Sequence, residues 1–370
     1  MNDKIKTYLT HVGLFIFTFI STTFSGSFFI KGKMWGWTEY GWADFTEGMK
    51  YSVPFLLILT VHEFGHYFTA RYNKIKVTLP YYIPLPPIPM LIGTMGAVIR
   101  IKEFIQSKKV HFDIGLAGPL AGFVVAVILL FYGYTQLPPV EYIYEIHPEY
   151  EAYGENYENY YAETDSLIGV TIGKNLAILF FENYVADPEL LPHPNEFMHY
   201  PYLLAGYLAL FFTALNLLPI GQLDGGHVLY GLVGTKWHSR VALTLFLAML
   251  FYSGIGFISP FQAYEELIWQ VPLYVAFLYF ALKGIKKNSQ TTLMIALIIF
   301  AVQFVLSLLD PNLKGFEGWM LFSLVIGRFV GVYHPKSLIE EPLDLKRRVL
   351  GWIALIIFIV SFSPVPLRIG

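Results

Sequence analysis

Apolar runs recur along this chain near residues 8–30, 50–70, 112–134, 201–219, 240–258, 270–283, 291–309, 319–333 and 349–363. About 20 apolar residues in helical form cross the hydrocarbon core of a bilayer. A backbone placed in lipid must also satisfy its own hydrogen bonds, which a helix does. The runs therefore predict an all-α integral membrane protein, a polytopic helical bundle of about eight or nine spans. Composition agrees, with 55% hydrophobic and 14% charged residues against about 25% charged in soluble domains. The expected partner of every span is the lipid bilayer, and a net charge of −2 gives no basis for a nucleic-acid partner. Lys4 and Lys6 precede the first run as in a signal peptide, but the run is long and lacks a small-residue cleavage pattern, so it reads as a retained span.

Charge sets the expected orientation. With nine spans, Lys4 and Lys6, the basic connection 71–110, Lys236 with Arg240, Lys283 with Lys286 and Lys287, and Lys346 with Arg347 and Arg348 all fall on one side. The positive-inside tendency makes that side the cytoplasm. The other side receives residues 141–165, with eight acidic residues, seven tyrosines and no Lys or Arg. The connection 135–199 that contains them is too long for a plain loop. Its acidic part reads either as a solvated extracytoplasmic loop or as a contact for a partner or cation. Residues 167–181 read as an interfacial helix, a re-entrant piece or an extra span.

The chain has no cysteine, which excludes disulfides, thiolate metal ligands and cysteine nucleophiles. A metal site must then draw on His, Asp or Glu. Residues 61–67 read Val-His-Glu-Phe-Gly-His-Tyr inside the second apolar run. His62 and His66 are four apart and so share a helix face, where both imidazoles can hold one ion. Glu63, beside the first histidine, is placed to act as a general base toward water. Ionisable groups are costly in a membrane helix and tend to mark function there. A catalytic zinc needs a third protein ligand and an open position. Asp224, in the stretch Asn216–His227, is the best candidate, and in the topology above it lies on the same cytoplasmic side as His66. Pro219, Gly221, Gly225 and Gly226 should stop the fourth run from continuing as a regular helix. A helix N-cap is the other reading of Asp224, and Glu265, Glu266 and His227 are competing ligands, with His227 also read as a support to the metal site. Asn216 has two open readings: a hydrogen bond to the substrate carbonyl or oxyanion, or an interhelical hydrogen bond.

The pair of motifs at 62–66 and 216–226, both in membrane runs, resembles the site-2 protease family of intramembrane zinc metalloproteases. Gly93–Arg100 (GTMGAVIR) and Gly118–Gly122 (GPLAG) extend the resemblance. His193-Pro194 and the GQLDGGH stretch are similar to its chloroplast and bacterial branch, without an evident PDZ domain. The resemblance covers roughly residues 50–235. It implies a three-helix zinc-protease core, one Zn2+ held by His62, His66 and Asp224, Glu63 as base, and membrane-spanning protein substrates. The expected organisation is an N-terminal span and connection (1–48), a catalytic membrane core (49–235) that includes the acidic loop 135–199, and C-terminal membrane helices (236–370).

Substrate handling has a physical requirement: a helical peptide bond resists attack until its helix unwinds. Residues 93–100 read as a short membrane-associated strand whose edge, with Gly93, Thr94, Met95, Gly96 and Ala97 as its substrate-binding residues, pairs with unwound substrate, or as a plain hairpin. The Pro-rich stretch 80–89 cannot be a regular helix. Gly118 and Gly122 read either as permitting close approach of the third span to the histidine helix or as ordinary small-residue packing. Two other functions stand beside proteolysis. One is a polytopic membrane metal-ion transporter; the other is a membrane zinc protease that trims prenylated C-termini, whose third ligand would be a downstream helical Glu.

Overall fold

The computed structural model describes residues 3–36, 38–157, 159–163, 170–285 and 288–369. Helices dominate. α1 (Asp3–Lys31) and α2 (Trp42–Tyr72) are followed by a hairpin of β1 (Tyr81–Pro84) and β2 (Thr94–Val98), then α3 (Lys108–Thr135). The long connection holds α4 (Glu141–Ile146), a 3-10 segment (Pro148–Asn156), α5 (Asn159–Glu163), β3 (Val170–Ile172), α6 (Leu176–Tyr184) and the 3-10 turns Pro188–Leu190 and Pro194–His199. After it come α7 (Pro201–Asn216), α8 (Asp224–Ser253), α9 (Tyr264–Leu282), α10 (Ser289–Leu309), α11 (Gly318–Val325) with a π turn at Ile326–Val330, α12 (Leu345–Ser361) and β4 (Leu367–Ile369).

The expected runs fall on helices, as a helical membrane protein requires. Among the described residues, four helices are long and apolar enough to cross a bilayer: Ile5–Lys31, Lys108–Thr135, Tyr264–Leu282 and Ser289–Leu309. Pro201–Asn216 and Gly318–Val330 are apolar but shorter. α2 has 31 residues, but the histidines and carboxylate at 62–66 dilute its apolar character. The expected count of eight or nine thus stands at four by this measure. The fifth expected run is not a separate helix. It continues α8, which starts at Asp224 and kinks at Gly234. Lys286 and Lys287, used above for orientation, lie outside the described residues, as do Glu158 and Asp165 of the acidic loop.

The residues group into two compact units: Met1–Ile105, Ala117–Leu215 and Ile356–Gly370 in the first, Gln106–Leu116 and Asn216–Leu355 in the second. In the first, α1 meets α2 through small polar residues. Thr18, Ser21, Thr22, Thr23, Ser25 and Ser27 are all buried; Thr23 Oγ1 lies 2.8 Å from Ser52 Oγ, and Ser27 donates to Asp44 O at 2.7 Å. Small hydroxyl residues let membrane helices approach closely and return their hydrogen bonds to the backbone. The antiparallel β1–β2 hairpin pairs Tyr82 with Ala97. It is tied to α1 by His11 Nδ1, which donates to Pro80 O at 3.0 Å, and to α2 by Thr60 Oγ1, 2.6 Å from Tyr82 Oη. Tyr81–Pro84 is thus a strand despite the prolines around it, which sit at its end and beyond, where no ladder donor is required.

The long connection is folded. Its carboxylates Glu141, Glu145, Glu149 and Glu151 are exposed, as a solvated loop predicts, but Tyr150 and Tyr157 are buried in the core of the first unit. β3 pairs antiparallel with β4, and Asn175 Nδ2 donates to Ser361 O at 3.0 Å. Residues 167–181 are not an extra span. Their described part holds β3 and the start of α6, whose 9 residues extend about 14 Å, half of a bilayer core; 167–169 lie outside the described residues.

In the second unit, Arg347 closes a bidentate pair with Asp113 at 2.7 and 2.8 Å, and Lys109 meets Glu341 at 2.7 Å. Three helices share one buried polar residue. Gln303 of α10 donates to Phe251 O of α8 at 2.7 Å and accepts from Tyr274 Oη of α9 at 2.9 Å. Leucine at 303 would leave a carbonyl and a hydroxyl unpaired away from water. We expect Gln303→Leu to lower unfolding stability in detergent by about 1 kcal/mol, read as a lower thermal midpoint, whereas Gln290→Leu on the exposed start of α10 should leave it unchanged.

Candidate metal centre

In the first unit, His62, Glu63 and His66 occupy one stretch of α2 and are 5%, 7% and 6% exposed. Helical spacing of four brings the two imidazoles together: their Nε2 atoms are 3.0 Å apart and their rings cross at 73°. Two nitrogen donors this close resemble neighbouring ligands around an ion with bonds of about 2.0 Å, which stand about 3.3 Å apart. The donor set, two imidazoles with a carboxylate beside them in sequence, suits a borderline-soft divalent ion. The residues fit the metal that the sequence calls for.

A second helix makes room for them. At the α2–α3 crossing a Cβ on Gly118 would lie 2.1 Å from His66 Nε2, and a Cβ on Gly65 would lie 2.7 Å from Ala117 O. Both helices lack a side chain where they touch, and His66 occupies the space so released. Of the two readings of Gly118, close approach to the histidine helix is the one the structure supports. The hairpin lies beside the same part of α2, since Thr60, bonded to Tyr82, is two residues from His62.

Within that hairpin the five candidate residues have different surroundings. Gly93 packs its backbone on Thr22. Thr94 is buried, donating to Ile83 O at 2.8 Å and accepting from Gly96 N at 3.0 Å. Ala97 faces Tyr82 in the ladder and is half-buried, while Met95 is exposed. Among the described residues β2 pairs with β1 alone, so its other edge carries no strand.

In the second unit, Asn216 is the last residue of α7 and Asp224 the first of α8. Residues 217–223 between them are not helical, as Pro219 and Gly221 predict. Gly225 and Gly226 act otherwise than expected: both lie inside α8, where Cβ atoms would come within 1.9 Å of Leu217 O and 2.3 Å of Gly221 O. They let the helix start fold onto the turn that precedes it. The N-cap position is held by Leu223, so Asp224 is not the cap; it sits one residue on, where a carboxylate also favours the helix dipole. His227 Nδ1 is 2.7 Å from His334 Nε2, and His111 stacks on His227 with centroids 5.1 Å apart. The sequence had pointed to His227 but not to His111 or His334, which no local spacing connects to it. Glu265 and Glu266 are exposed in the first turn of α9, where acidic residues favour the helix dipole.

Comparison with known proteins follows the same residues. The probable zinc metalloprotease EGY2, chloroplastic, of Oryza sativa subsp. indica is 29% identical over 192 residues, covering 50% of this chain and 29% of that protein. The probable zinc metalloprotease EGY1, chloroplastic, of Arabidopsis thaliana is 29% identical over 195 residues, 53% of this chain and 31% of the relative. A longer match, 24% identical over 267 residues, is to the probable zinc metallopeptidase EGY3, chloroplastic, of Arabidopsis thaliana, covering 68% of this chain and 40% of the relative. The matched region is thus less than half of each of these relatives. No solved structure matches the chain at comparable significance. The family model described as peptidase family M50 matches residues 50–253, over half of the chain, and this stretch contains both the buried histidine pair of α2 and the turn leading to Asp224. The chain therefore belongs to peptidase family M50, the site-2 protease family of zinc metalloproteases.

Proposed function

We propose that this chain is an intramembrane zinc endopeptidase that cuts peptide bonds in or near transmembrane segments of membrane-protein substrates, the chemistry of regulated intramembrane proteolysis. The observation that carries the reading is the buried pair His62–His66, with Nε2 atoms 3.0 Å apart and Glu63 beside them in an otherwise apolar stretch of helix. Burying three such groups is costly unless a cation and a reaction make use of them. Metal-ion transport would use the imidazoles and Asp224 but assigns no role to Glu63 or to a free strand edge.

In this reading His62, His66 and Asp224 hold one Zn2+. The ion, when bound, supplies Lewis acidity that polarises the scissile carbonyl and makes water a competent nucleophile at neutral pH. Glu63 takes the proton from the attacking water and delivers it to the leaving amine nitrogen, so one carboxylate serves as base and then acid. The Asn216 amide donates to the carbonyl oxygen as negative charge develops there. The free edge of β2, at Thr94–Val98, offers backbone hydrogen bonds to a substrate strand that has lost its helical ones. The bond between Tyr82 of the hairpin and Thr60 of α2, two residues from His62, supports this role.

The first unit supports an orientation. Ile30, near the end of α1, meets His199 of the long connection, while His11, near its start, meets the hairpin. The chain entering the hairpin at Pro80 and the end of the long connection at His199 thus meet α1 toward opposite ends. The basic connection 71–110 is then cytoplasmic, together with the N-terminus and the catalytic groups, and the acidic connection extracytoplasmic.

Glu63→Gln should lower cleavage of a membrane-anchored reporter by about 10²–10⁴-fold and leave bound zinc unchanged; undiminished cleavage, or zinc flux into liposomes without cleavage, refutes the protease reading. Asp224→Ala should lower the zinc content by one ion per chain, measured by elemental analysis of the purified protein, and an unchanged zinc content would favour a different third ligand. Gly118→Ala forces the His66 ring to move, and zinc affinity should fall at least about tenfold in a protein whose helical circular dichroism is unaltered. Because the chain has no native cysteine, Lys102→Cys and Glu151→Cys can be labelled individually with an impermeant maleimide; labelling from the same face would refute the orientation.

A further inference from the structure

Away from α2, in the long connection of the first unit, three side chains from distant points in the sequence converge on one spot. His147 sits between α4 and the 3-10 segment Pro148–Asn156, and Glu196 and His199 are three residues apart in the turn just before α7. His147 Nε2 is 3.3 Å from His199 Nε2 and 3.7 Å from Glu196 Oε2, and His199 Nε2 is 3.4 Å from the same oxygen.

The remaining atoms of these side chains are already used. His199 Nδ1 is 3.0 Å from Ile30 O; a carbonyl oxygen only accepts, so this nitrogen carries the proton. His147 Nδ1 is 3.1 Å from Glu149 Oε1, a carboxylate oxygen that likewise accepts. A neutral imidazole has one N–H, so each Nε2 presents a lone pair. Glu196 has a side chain 2% exposed; its Oε1 accepts from Tyr150 Oη at 3.2 Å, and its Oε2 is buried with no hydrogen-bond partner. Three lone-pair atoms facing one another away from water call for a cation. An added proton on one imidazole bridges two of them only, whereas all three converge. The point equidistant from the three atoms lies about 2.0 Å from each, which matches zinc–nitrogen and zinc–oxygen bonds of about 2.0–2.2 Å.

We propose that His147, Glu196 and His199 form a second metal site, for a divalent first-row transition ion of which zinc is the best match, built from residues other than those assigned to proteolysis. The hydrogen bonds from His199 to Ile30 O and from His147 to Glu149 are the outer contacts that set tautomer and ring direction in metal-binding histidines. Tyr142 Oη, donating to His199 O at 2.6 Å, fixes the backbone of the same turn. His147 is 30% exposed, which leaves a fourth position for water. The ion ties α4 and the 3-10 segment to the entrance of α7 and to the end of α1.

The test uses the full chain, purified in detergent with its affinity tag removed, equilibrated with micromolar zinc, desalted and assayed for zinc per chain. Wild type should retain two ions and the His62→Ala/His66→Ala protein one. Adding Glu196→Gln, which keeps an acceptor for Tyr150, or His147→Ala, at a partly exposed position, should remove that remaining ion. Cobalt in its place should give the visible absorption of a low-coordinate N/O site, lost in the same variants. Glu196→Gln alone should keep the other zinc, showing that the chain still folds; if it does not fold, His147→Ala carries the test. The proposal is overturned if the His62→Ala/His66→Ala protein holds no zinc, or keeps it with both Glu196 and His147 replaced. A failure of the protease assignment would look different: a wild-type chain with one ion, insensitive to His62 and His66 but lost with Glu196→Gln.

Discussion

The position of His66 depends on a helix crossing at which neither partner carries a side chain. Gly65 on α2 and Gly118 on α3 bring the two backbones so close that a methyl group on either side would collide with its neighbour. In water such a crossing would gain little, since glycine contributes no apolar area. In lipid the hydrophobic effect does not drive helices together, and close van der Waals approach between small residues is what holds them. The same lack of side chains leaves the space that the His66 ring fills. Packing and the placement of His66 therefore share one feature of the sequence, the glycines at this crossing.

A second constraint governs polar groups throughout the molecule. The hydroxyls of Thr22, Thr23 and Ser27 on α1 bond back to carbonyls of their own helix or to α2, and Gln303 satisfies a carbonyl and a phenol on two other helices. The groups so bonded are structural, because each has a neutral partner. His62, Glu63 and His66 differ in kind: three ionisable groups stand together where solvation is poor. Such a concentration is expensive to fold, and the proposed metal chemistry would be the reason to retain it. Polarity in a span is thus informative when it clusters with titratable character, and much less so when it is dispersed as Ser and Thr.

The long connection shows how an acidic, tyrosine-rich segment folds without a large apolar content. Its carboxylates Glu141, Glu145, Glu149 and Glu151 stay at the surface while its aromatic rings stack inward, as Tyr150 does on Tyr157 and on His147. Tyrosine suits this arrangement because it buries an apolar ring and keeps a hydroxyl for bonding, here between Tyr150 and both Tyr161 and Glu196. Folding against the end of α1 and pairing with the strand at Leu367–Ile369 makes the connection part of the first unit.

Local pattern alone determined the helical membrane class, the sharing of one helix face by His62 and His66, the break at Pro219 and Gly221, and the strand at Thr94–Val98. Each of these follows from periodicity, backbone chemistry or hydropathy over a few residues, which neighbours in space do little to change. The tertiary structure decided the rest. It placed Gly225 and Gly226 inside a helix, because their lack of Cβ serves contact with Leu217 and Gly221 and not a turn. It ran the fifth apolar stretch into α8, joined β3 to β4 across nearly 200 residues, and gathered His147 with Glu196 and His199. Convergence of that kind depends on where distant segments pack, and no spacing within the chain encodes it.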